Sequence, residues 1–282
     1  MRKRISFISM LTMFLAIGFV IIFSRPVKAA ANGVQLKTNR TYAAYDVTGD
    51  GMKDKIRIRA ANPTDDEAYA SLTVSVNGKT AYRLKNTRFY NVIANIYTLK
   101  NGQPFLYLYA PAENGDGPVC ALLKYTNGKF RKILDFTEIM AGYGNHRIGE
   151  VTNLNGNKIV ITESIVSYSL GINAINFTYK YVNGKFVPTS RYGSYKEIYS
   201  ADGSSRYFTV NSDLPAYTRP GATAVNTTLK TGSLTKIIKC ALISGKMYIQ
   251  LECDGEIYWI KALENPPIAD NERQFMEVRY AG

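Results

Sequence analysis

Lys124-Tyr-Thr-Asn-Gly-Lys-Phe130 and Lys180-Tyr-Val-Asn-Gly-Lys-Phe186 are near-identical stretches in which β-forming residues flank an Asn-Gly pair. A shorter version, Val76-Asn-Gly-Lys79, stands earlier in the chain. Asn-Gly is the pair that suits a type I′ hairpin turn, because both central residues of that turn adopt a positive φ. The three stretches therefore predict three β-hairpins, whose turn glycines are separated by 50 and 56 residues.

The segments between these and further Asn-Gly and Asp-Gly pairs alternate between apolar and polar residues, which is typical of β-strands. No amphipathic helix of useful length is present. The composition agrees, since the 282 residues include 21 Tyr, 12 Phe and 22 Gly but a single Trp. We therefore predict an all-β chain. The clearest strand-like runs are residues 55–59, 71–76, 105–109, 158–162 and 176–181.

A longer repeat surrounds the three hairpins. Windows that begin at Asp46, Asn95 and Glu150 each consist of a strand, a turn and a second strand, and one of the hairpins follows each window. A four-stranded unit that recurs at this spacing has the period of a propeller blade. We predict three propeller-like repeats over residues 36–192, forming an open or partial propeller because closed propellers have roughly four to eight blades. The alternative is an ordinary meander in which a common turn recurs.

The first 31 residues have the pattern of a signal peptide. A basic start is followed by an apolar run over residues 5–23 and by the small residues Ala29 and Ala31. The apolar run is also long enough to stay as an uncleaved membrane anchor. We expect a secreted or cell-surface protein, anchored if the segment is retained. The segment holds five of the basic residues behind the formal net charge of +13, which leaves about +8 on the rest.

The scarcity of His and Cys excludes several classes of protein. One His and three Cys cannot form a His-rich or Cys-rich metal site or a disulfide scaffold. A hairpin that turns at residues 244–245 places Cys240 opposite Ile249, so that Cys253 lies too far along the strand for a disulfide. We therefore expect three buried thiols. One disulfide with an odd thiol is the alternative.

A single loop has the spacing of a metal site. In Asp46-Val-Thr-Gly-Asp-Gly-Met-Lys-Asp54, oxygen-bearing side chains occupy the first, third, fifth and ninth positions, and Gly51 follows the third of them. Hard cations such as Ca²⁺ take about six to eight oxygen ligands. The loop is not an EF-hand, because Arg57 stands where that motif has a Glu.

The loop resembles the calcium loops of FG-GAP and VCBS-type repeats, in which a similar turn joins two strands of a propeller blade in exported proteins. The resemblance implies a structural Ca²⁺ ion as cofactor. By this likeness Asp46, Asp50 and Asp54 provide carboxylate ligands, Met52 provides its carbonyl, and Thr48 is a weaker substitute at a usually acidic position. The alternative is that Asp46 and Asp50 only accept hydrogen bonds from backbone N–H groups of a tight turn.

The C-terminal third differs from the repeats. The polar residues 193–206 are typical of a linker, and residues 207–264 contain five short strands, as in a small barrel. This segment resembles bacterial SH3-type domains at Leu214-Pro-Ala-Tyr217, Leu229-Lys-Thr-Gly232 and Trp259-Ile260, although Tyr258 stands where the family often has Gly. The resemblance implies a small SH3-like barrel, followed by a C-terminal tail or strand over residues 265–282.

The same resemblance implies a ligand groove lined with aromatic residues, because the family commonly binds cell-wall peptide or glycan. Flat rings stack well on sugars and prolines. For Trp259 the alternative is a place in the core of the barrel. The candidate ligand-binding residues are Tyr217, Tyr248, Tyr258 and Trp259.

Catalysis has little support in the sequence. The single His, His146, is expected in a loop, and no nucleophile-elbow, zinc-protease or phosphate-loop motif occurs. We expect an exported, non-catalytic binding protein of the cell surface or cell wall, with a wall polymer or peptide or an anionic surface as partner. A nucleic-acid partner is not expected, because the Lys and Arg residues are scattered and the compartment is wrong. The alternative function is a cell-wall glycan hydrolase that uses a carboxylate pair.

Overall fold

The computed structural model describes residues 33–62, 67–198 and 206–278. The signal peptide or anchor predicted for residues 1–31 lies outside these ranges. The described residues are mostly β, with 61% of them in strands and 4% in helices, which confirms the prediction of an all-β chain. Within the described ranges, no helix has both the length and the apolar character needed to cross a membrane.

Twenty strands form the described part of the chain, and a four-residue helix and two 3₁₀ turns add little. The first nine strands are β1 (Val34–Gln35), β2 (Thr41–Tyr45), β3 (Asp54–Ala61), β4 (Tyr69–Val76), β5 (Lys79–Phe89), β6 (Ile93–Thr98), β7 (Pro104–Ala110), β8 (Val119–Thr126) and β9 (Lys129–Asp135). The helix α1 (Phe136–Ile139) follows β9, and the 3₁₀ turns are Glu113–Gly115 and Asp270–Glu272. The later strands are β10 (Gly144–Asn155), β11 (Lys158–Ser167), β12 (Gly171–Val182), β13 (Lys185–Pro188), β14 (Tyr192–Ile198), β15 (Tyr207–Thr209), β16 (Leu214–Ala216), β17 (Thr227–Leu229), β18 (Leu234–Ile243), β19 (Lys246–Cys253) and β20 (Glu256–Lys261).

Neighbouring strands in the sheets are antiparallel and mostly consecutive in the chain. The first sheet has the order β2-β3-β4-β5, and the second has the order β1-β6-β7-β8-β9. The third sheet has the order β10-β11-β12-β14-β18-β19-β20, with β13 beside β12 and β15 beside β18, and β16 pairs with β17. The sheets are curled and include a half-barrel.

The three predicted hairpin turns are confirmed in detail. Asn77, Asn127 and Asn183 have φ values of 51°, 49° and 47°, and the glycine that follows each of them also has a positive φ. Two successive residues with positive φ define the type I′ turn. Each turn joins two antiparallel strands: β4 to β5, β8 to β9, and β12 to β13.

The aromatic residues that flank the second and third turns pack in the same way. Tyr125 lies opposite Phe130 with ring centres 5.4 Å apart, and Tyr181 lies opposite Phe186 with ring centres 5.2 Å apart. Such cross-strand aromatic pairs stabilise a hairpin beyond the burial of their surface. The shared sequence of the two stretches therefore corresponds to a shared local structure.

Strand β7 is buried along its whole length, because both faces of the second sheet are covered. Leu106 and Leu108 point into a core shared with the first sheet, where they join Ile58 and Leu72. Phe105 and the other odd-numbered residues of β7 point the opposite way, into a larger core shared with the third sheet. Because successive side chains of β7 point to opposite faces, this one strand contributes side chains to both cores.

The segment expected to be a linker is partly a strand. Residues 193–198 belong to β14, which pairs with β12 through Tyr195 and Ile175 and with β18 through Gly193 and Cys240. Residues 199–205 lie outside the described ranges. The third sheet therefore runs without interruption from the last predicted repeat into the C-terminal strands.

In the described part of the C-terminal tail, Phe275 forms an isolated bridge with Val210. The ring of Phe275 packs on that of Phe208, with centres 5.6 Å apart, and is fully buried. The tail therefore closes over the strand β15. Residues 279–282 lie outside the described ranges.

The three cysteines are free thiols and all are buried, as predicted. The β18–β19 hairpin places Cys240 opposite Ile249, in the predicted register. Burial raises the pKa of both Cys120 and Cys240 to about 12. These two thiols therefore stay protonated and behave as small apolar groups.

Candidate functional site

The loop between β2 and β3 is organised by Asp46. One oxygen of its carboxylate accepts the backbone N–H groups of Gly49 and Asp50 at 2.6 and 3.2 Å, and the other accepts that of Gly51 at 2.7 Å. Desolvation acts to raise the pKa of Asp46, but the hydrogen bonds, led by that from Gly51, outweigh it and lower the pKa below its usual value. Asp46 therefore stays ionised and fixes the turn.

Asp54, at the other end of the loop, has only 2% of its surface exposed. Its carboxylate accepts the backbone N–H groups of Val47 and Thr48 at 2.7 and 2.9 Å. It also accepts a hydrogen bond of 2.6 Å from the side-chain amide of Asn77. Asn77 in turn accepts the backbone N–H of Lys55 at 2.8 Å, so the loop is bound to the β4–β5 turn.

Three of the five predicted calcium ligands converge in this loop. The hydroxyl of Thr48 lies 3.3 Å from one carboxylate oxygen of Asp46 and 3.3 Å from one of Asp54. Asp50 instead accepts the backbone N–H of Met52 at 2.8 Å, and the Met52 side chain is 69% exposed. Across residues 33–62, 67–198 and 206–278, no three His, Cys, Asp or Glu side chains are grouped so that they could hold a metal ion. In this structure the carboxylates of Asp46, Asp50 and Asp54 accept backbone N–H hydrogen bonds, which for Asp46 and Asp50 is the alternative of a tight turn.

Three of the four predicted aromatic ligands lie together on the outer face of the third sheet. Tyr217 and Trp259 exchange backbone hydrogen bonds of 2.8 and 2.9 Å, and Tyr248 packs beside them over Ala241. Tyr217, Tyr248 and Trp259 are at most 7% exposed. Tyr258 points to the opposite face and packs against the larger core, because successive residues of a strand alternate.

Tyr192 provides the exposed ring beside this cluster. Its ring centre lies 5.9 Å from that of Trp259, and 41% of its surface is exposed. The ammonium group of Lys239 lies 4.6 Å from the ring centre of Tyr192 and 5.9 Å from that of Trp259, so both ring faces attract the cation. We call Tyr192, Lys239 and Trp259 the Tyr192 surface.

Further cations border the Tyr192 surface. The guanidinium of Arg191 lies 5.9 Å from the ring centre of Tyr192, and the ammonium of Lys261 lies 5.8 Å from that of Tyr217. The surface therefore combines an accessible ring with positive charge. Tyr192 was missed in the sequence because it stands where the repeats were expected to end, although the alternating run that follows it is a strand signal.

His146 lies in strand β10 and not in the loop that was expected for it. The sequence around it is rich in Gly and Asn, which favour turns. His146 falls at an irregularity of the β10–β11 pairing, between Asn145, which lies opposite Val166, and Ile148, which lies opposite Ser164.

Comparison with known proteins adds no relative to this description. No family model matches the chain, and neither a curated protein nor a solved structure is significantly similar to it.

Proposed function

We propose that this chain is an exported, non-catalytic binding protein of the cell surface or cell wall, and that it holds its ligand on the Tyr192 surface. The observation that carries the proposal is the exposed Tyr192 ring, which is backed by Trp259 and has Lys239 4.6 Å from its centre. Sugar and proline rings stack on such a face, and a nearby ammonium attracts anionic substituents. A wall polymer or a wall peptide has both features.

The proposed architecture agrees with this role. We interpret strands β2–β5, β6–β9 and β10–β13 as three propeller-like repeats, because each set is a run of four consecutive antiparallel strands. The burial of β7 on both faces supports the interpretation, since blades of a propeller stack face to face. We interpret strands β15–β20 as the SH3-like part, which is joined to the repeats through β14.

We also propose that the loop over residues 46–54 binds a structural calcium ion. The convergence of Asp46, Thr48 and Asp54 supports this proposal, because Ca²⁺ prefers oxygen ligands. A larger ligand set requires Asp50 to exchange its hydrogen bond from Met52 for the ion. Bound calcium would brace the loop through two carboxylates that otherwise repel each other.

Retention of the protein on purified cell walls tests the binding role. Tyr192→Ala should weaken retention by about tenfold, because it removes the accessible ring and leaves Trp259 without its partner. Tyr207→Ala is the matched control, since Tyr207 is 47% exposed and has the Lys236 ammonium 5.8 Å from its ring centre but lies outside the Tyr192 surface. The control should bind as the unaltered protein does, and raised salt should weaken binding in both.

Two results would contradict the proposal. If the unaltered protein is not retained on walls at any salt concentration, there is no wall-binding role. If the walls are degraded, and replacement of a carboxylate pair stops the degradation, the protein is the glycan hydrolase of the alternative hypothesis.

A further inference from the structure

A cleft of about 330 Å³ lies between β5 and β9, the last strands of the first and second sheets. Three of its seven lining residues are cations and none is acidic. The lining residues are Thr80, Ala81, Tyr82, Arg83, Lys129, Phe130 and Arg131. The cleft lies on different strands from the Tyr192 surface and shares no residue with it.

Strand alternation gives the cleft a charged rim and an apolar floor. On β9 the exposed Lys129 and Arg131 flank Phe130, which is 5% exposed. On β5 the exposed Arg83 follows the half-buried Tyr82, and the buried Ala81 precedes it. Lys129 and Arg131 are two residues apart and so share one side of β9, and Arg83 lines the same opening from β5.

The three cations keep donors that can bind a ligand. In the described part of the chain, none of them forms an ion pair with Asp or Glu. Lys129 uses one of its three N–H groups on the backbone oxygen of Thr80, at 3.0 Å, and Arg83 makes only a long contact of 3.4 Å with the Thr80 hydroxyl. The Lys129 contact joins β9 to β5, the Arg83 contact lies within β5, and both leave most of the charge unpaired.

Asp135, whose charge acts on Tyr82, is already paired with another cation. Asp135 is ion-paired with Lys132, three residues before it on the same strand. Burial, and secondly the charge of Asp135, raise the pKa of Tyr82. The Tyr82 hydroxyl therefore stays protonated and remains a hydrogen-bond donor inside the cleft.

We propose that this cleft is a second binding site, which takes a segment of a phosphodiester chain. Guanidinium groups bind phosphate through two parallel hydrogen bonds, and Arg83 and Arg131 supply one such group on each side of the opening. Lys129 adds a third positive charge, and the apolar floor accommodates the carbon links between phosphates. A slender, soluble chain fits an opening of this size, whereas the flat surface of a membrane does not enter it.

Titration calorimetry with inorganic polyphosphate, which presents a chain of phosphates without carbon links, tests the cations on which the site depends. Arg83→Gln combined with Arg131→Gln should lower the affinity by about tenfold or more, because two charge-assisted contacts are lost. Lys100→Gln combined with Lys158→Gln is the matched control, since it removes the same charge at two exposed positions that do not line the cleft. The control should lower the affinity by less than about threefold.

Two further variants refine the test. Arg83→Lys combined with Arg131→Lys should recover only part of the affinity, because the charge is kept but the two-pronged contact is lost. Tyr192→Ala should bind polyphosphate as well as the unaltered protein does. The two proposals can therefore fail independently: wall retention tests the Tyr192 surface, and polyphosphate binding tests the cleft. Thermal melts of every variant check that it is folded.

Three results would overturn the proposal. An equal loss in the cleft and control variants would show attraction by net charge alone. Absence of polyphosphate binding at low salt would exclude the site. Vesicles of phosphatidylglycerol that bind more tightly than polyphosphate, and lose binding in the cleft variant, would replace the soluble chain by a membrane surface.

Discussion

Asp54→Ala should destabilise the protein strongly, because Asp54 is a buried carboxylate at the start of β3 that anchors the preceding surface loop. The substitution removes the acceptor for Val47 N–H, Thr48 N–H and the Asn77 amide, at 2.7, 2.9 and 2.6 Å. Hydrogen bonds to a charged group contribute about 1.5–3 kcal/mol each. After the substitution, water can accept hydrogen bonds from the exposed Thr48 and Asn77 donors. The N–H of the buried Val47 is poorly accessible to water and is left without an acceptor. We therefore expect a loss of about 3 kcal/mol, less than the sum of the three bonds.

The assay is thermal and urea unfolding in the presence of chelator, so that no metal contributes. For a protein of this size, about 3 kcal/mol lowers the melting temperature by about 6–12 °C. Asp213→Ala is the control, because Asp213 is an exposed acid that also accepts a backbone N–H, from Thr231 at 3.0 Å. Its effect should be much smaller, since water replaces the lost partner.

A double-mutant cycle with Asn77→Gly isolates the contact between the loop and the β4–β5 turn. Glycine keeps the positive φ of 51° at this position and removes only the side chain. We expect a coupling of about 1.5 kcal/mol between Asp54→Ala and Asn77→Gly. Additive effects, or a loss of less than about 1 kcal/mol for Asp54→Ala alone, would refute the idea that the loop depends on this carboxylate.

Three other predictions test the core, the pH dependence and the ion. Leu108→Ala should cost about 2–5 kcal/mol in urea unfolding, because Leu108 is fully buried between the first and second sheets, whereas Ile257→Ala at a 45% exposed position should cost much less. Because the pKa of Asp46 is lowered by folding, its contribution to stability is complete above the unfolded value of 3.8 and is lost as the pH falls through the lower folded value. The melting temperatures of Asp46→Asn and the unaltered protein should therefore converge on acidification below that pH, and a constant difference would contradict this. Calcium should raise the melting temperature of the unaltered protein but have little effect on that of Asp50→Ala. If the unaltered protein melts at the same temperature with calcium and with chelator, the proposed calcium site is contradicted.

The hairpins could be predicted from the sequence because their cause is local. Asn77, Asn127 and Asn183 take a positive φ, and few residues other than Asn and Gly do so at low cost. The strands beside them follow from the alternation of side chains, which does not depend on what the sheet later contacts. The assembly of the strands into three sheets depends on pairing between distant segments, and no local pattern contains that information.

Gly193 shows why the linker prediction was wrong for residues 193–198. In the sequence it stands among Ser and Tyr and suggests a flexible segment. In the structure a Cβ atom at this position would lie 2.5 Å from a ring atom of Phe177 and 2.7 Å from a side-chain atom of Ile175. Glycine is therefore needed here for the close approach of β14 to these side chains. That requirement comes from residues about twenty positions earlier.

The candidate sites show the same division between local and distant causes. The spacing in the loop predicted that five residues meet around one point; Thr48 does contact Asp46 and Asp54, all within nine residues, whereas Asp50 hydrogen-bonds to Met52 instead. The contact of Asp54 with Asn77 joins residues 23 positions apart and could not be predicted from that spacing. The Tyr192 surface likewise needs the pairing of β14 with β18, which only the structure reveals.

The position of Tyr192 changes where the proposed binding unit begins. The predicted SH3-like segment starts at residue 207, after β14, and so excludes the only exposed ring of the Tyr192 surface. Without β14, strand β18 would also lose the partner that pairs with Cys240 and Ala241. Lys239 would still lie near the Trp259 ring, but Trp259 is only 4% exposed in the structure, so its ring offers little surface on which a ligand can stack. Because β14 also pairs with β12, the proposed ligand site depends on the strands before β14 as well as on the C-terminal strands.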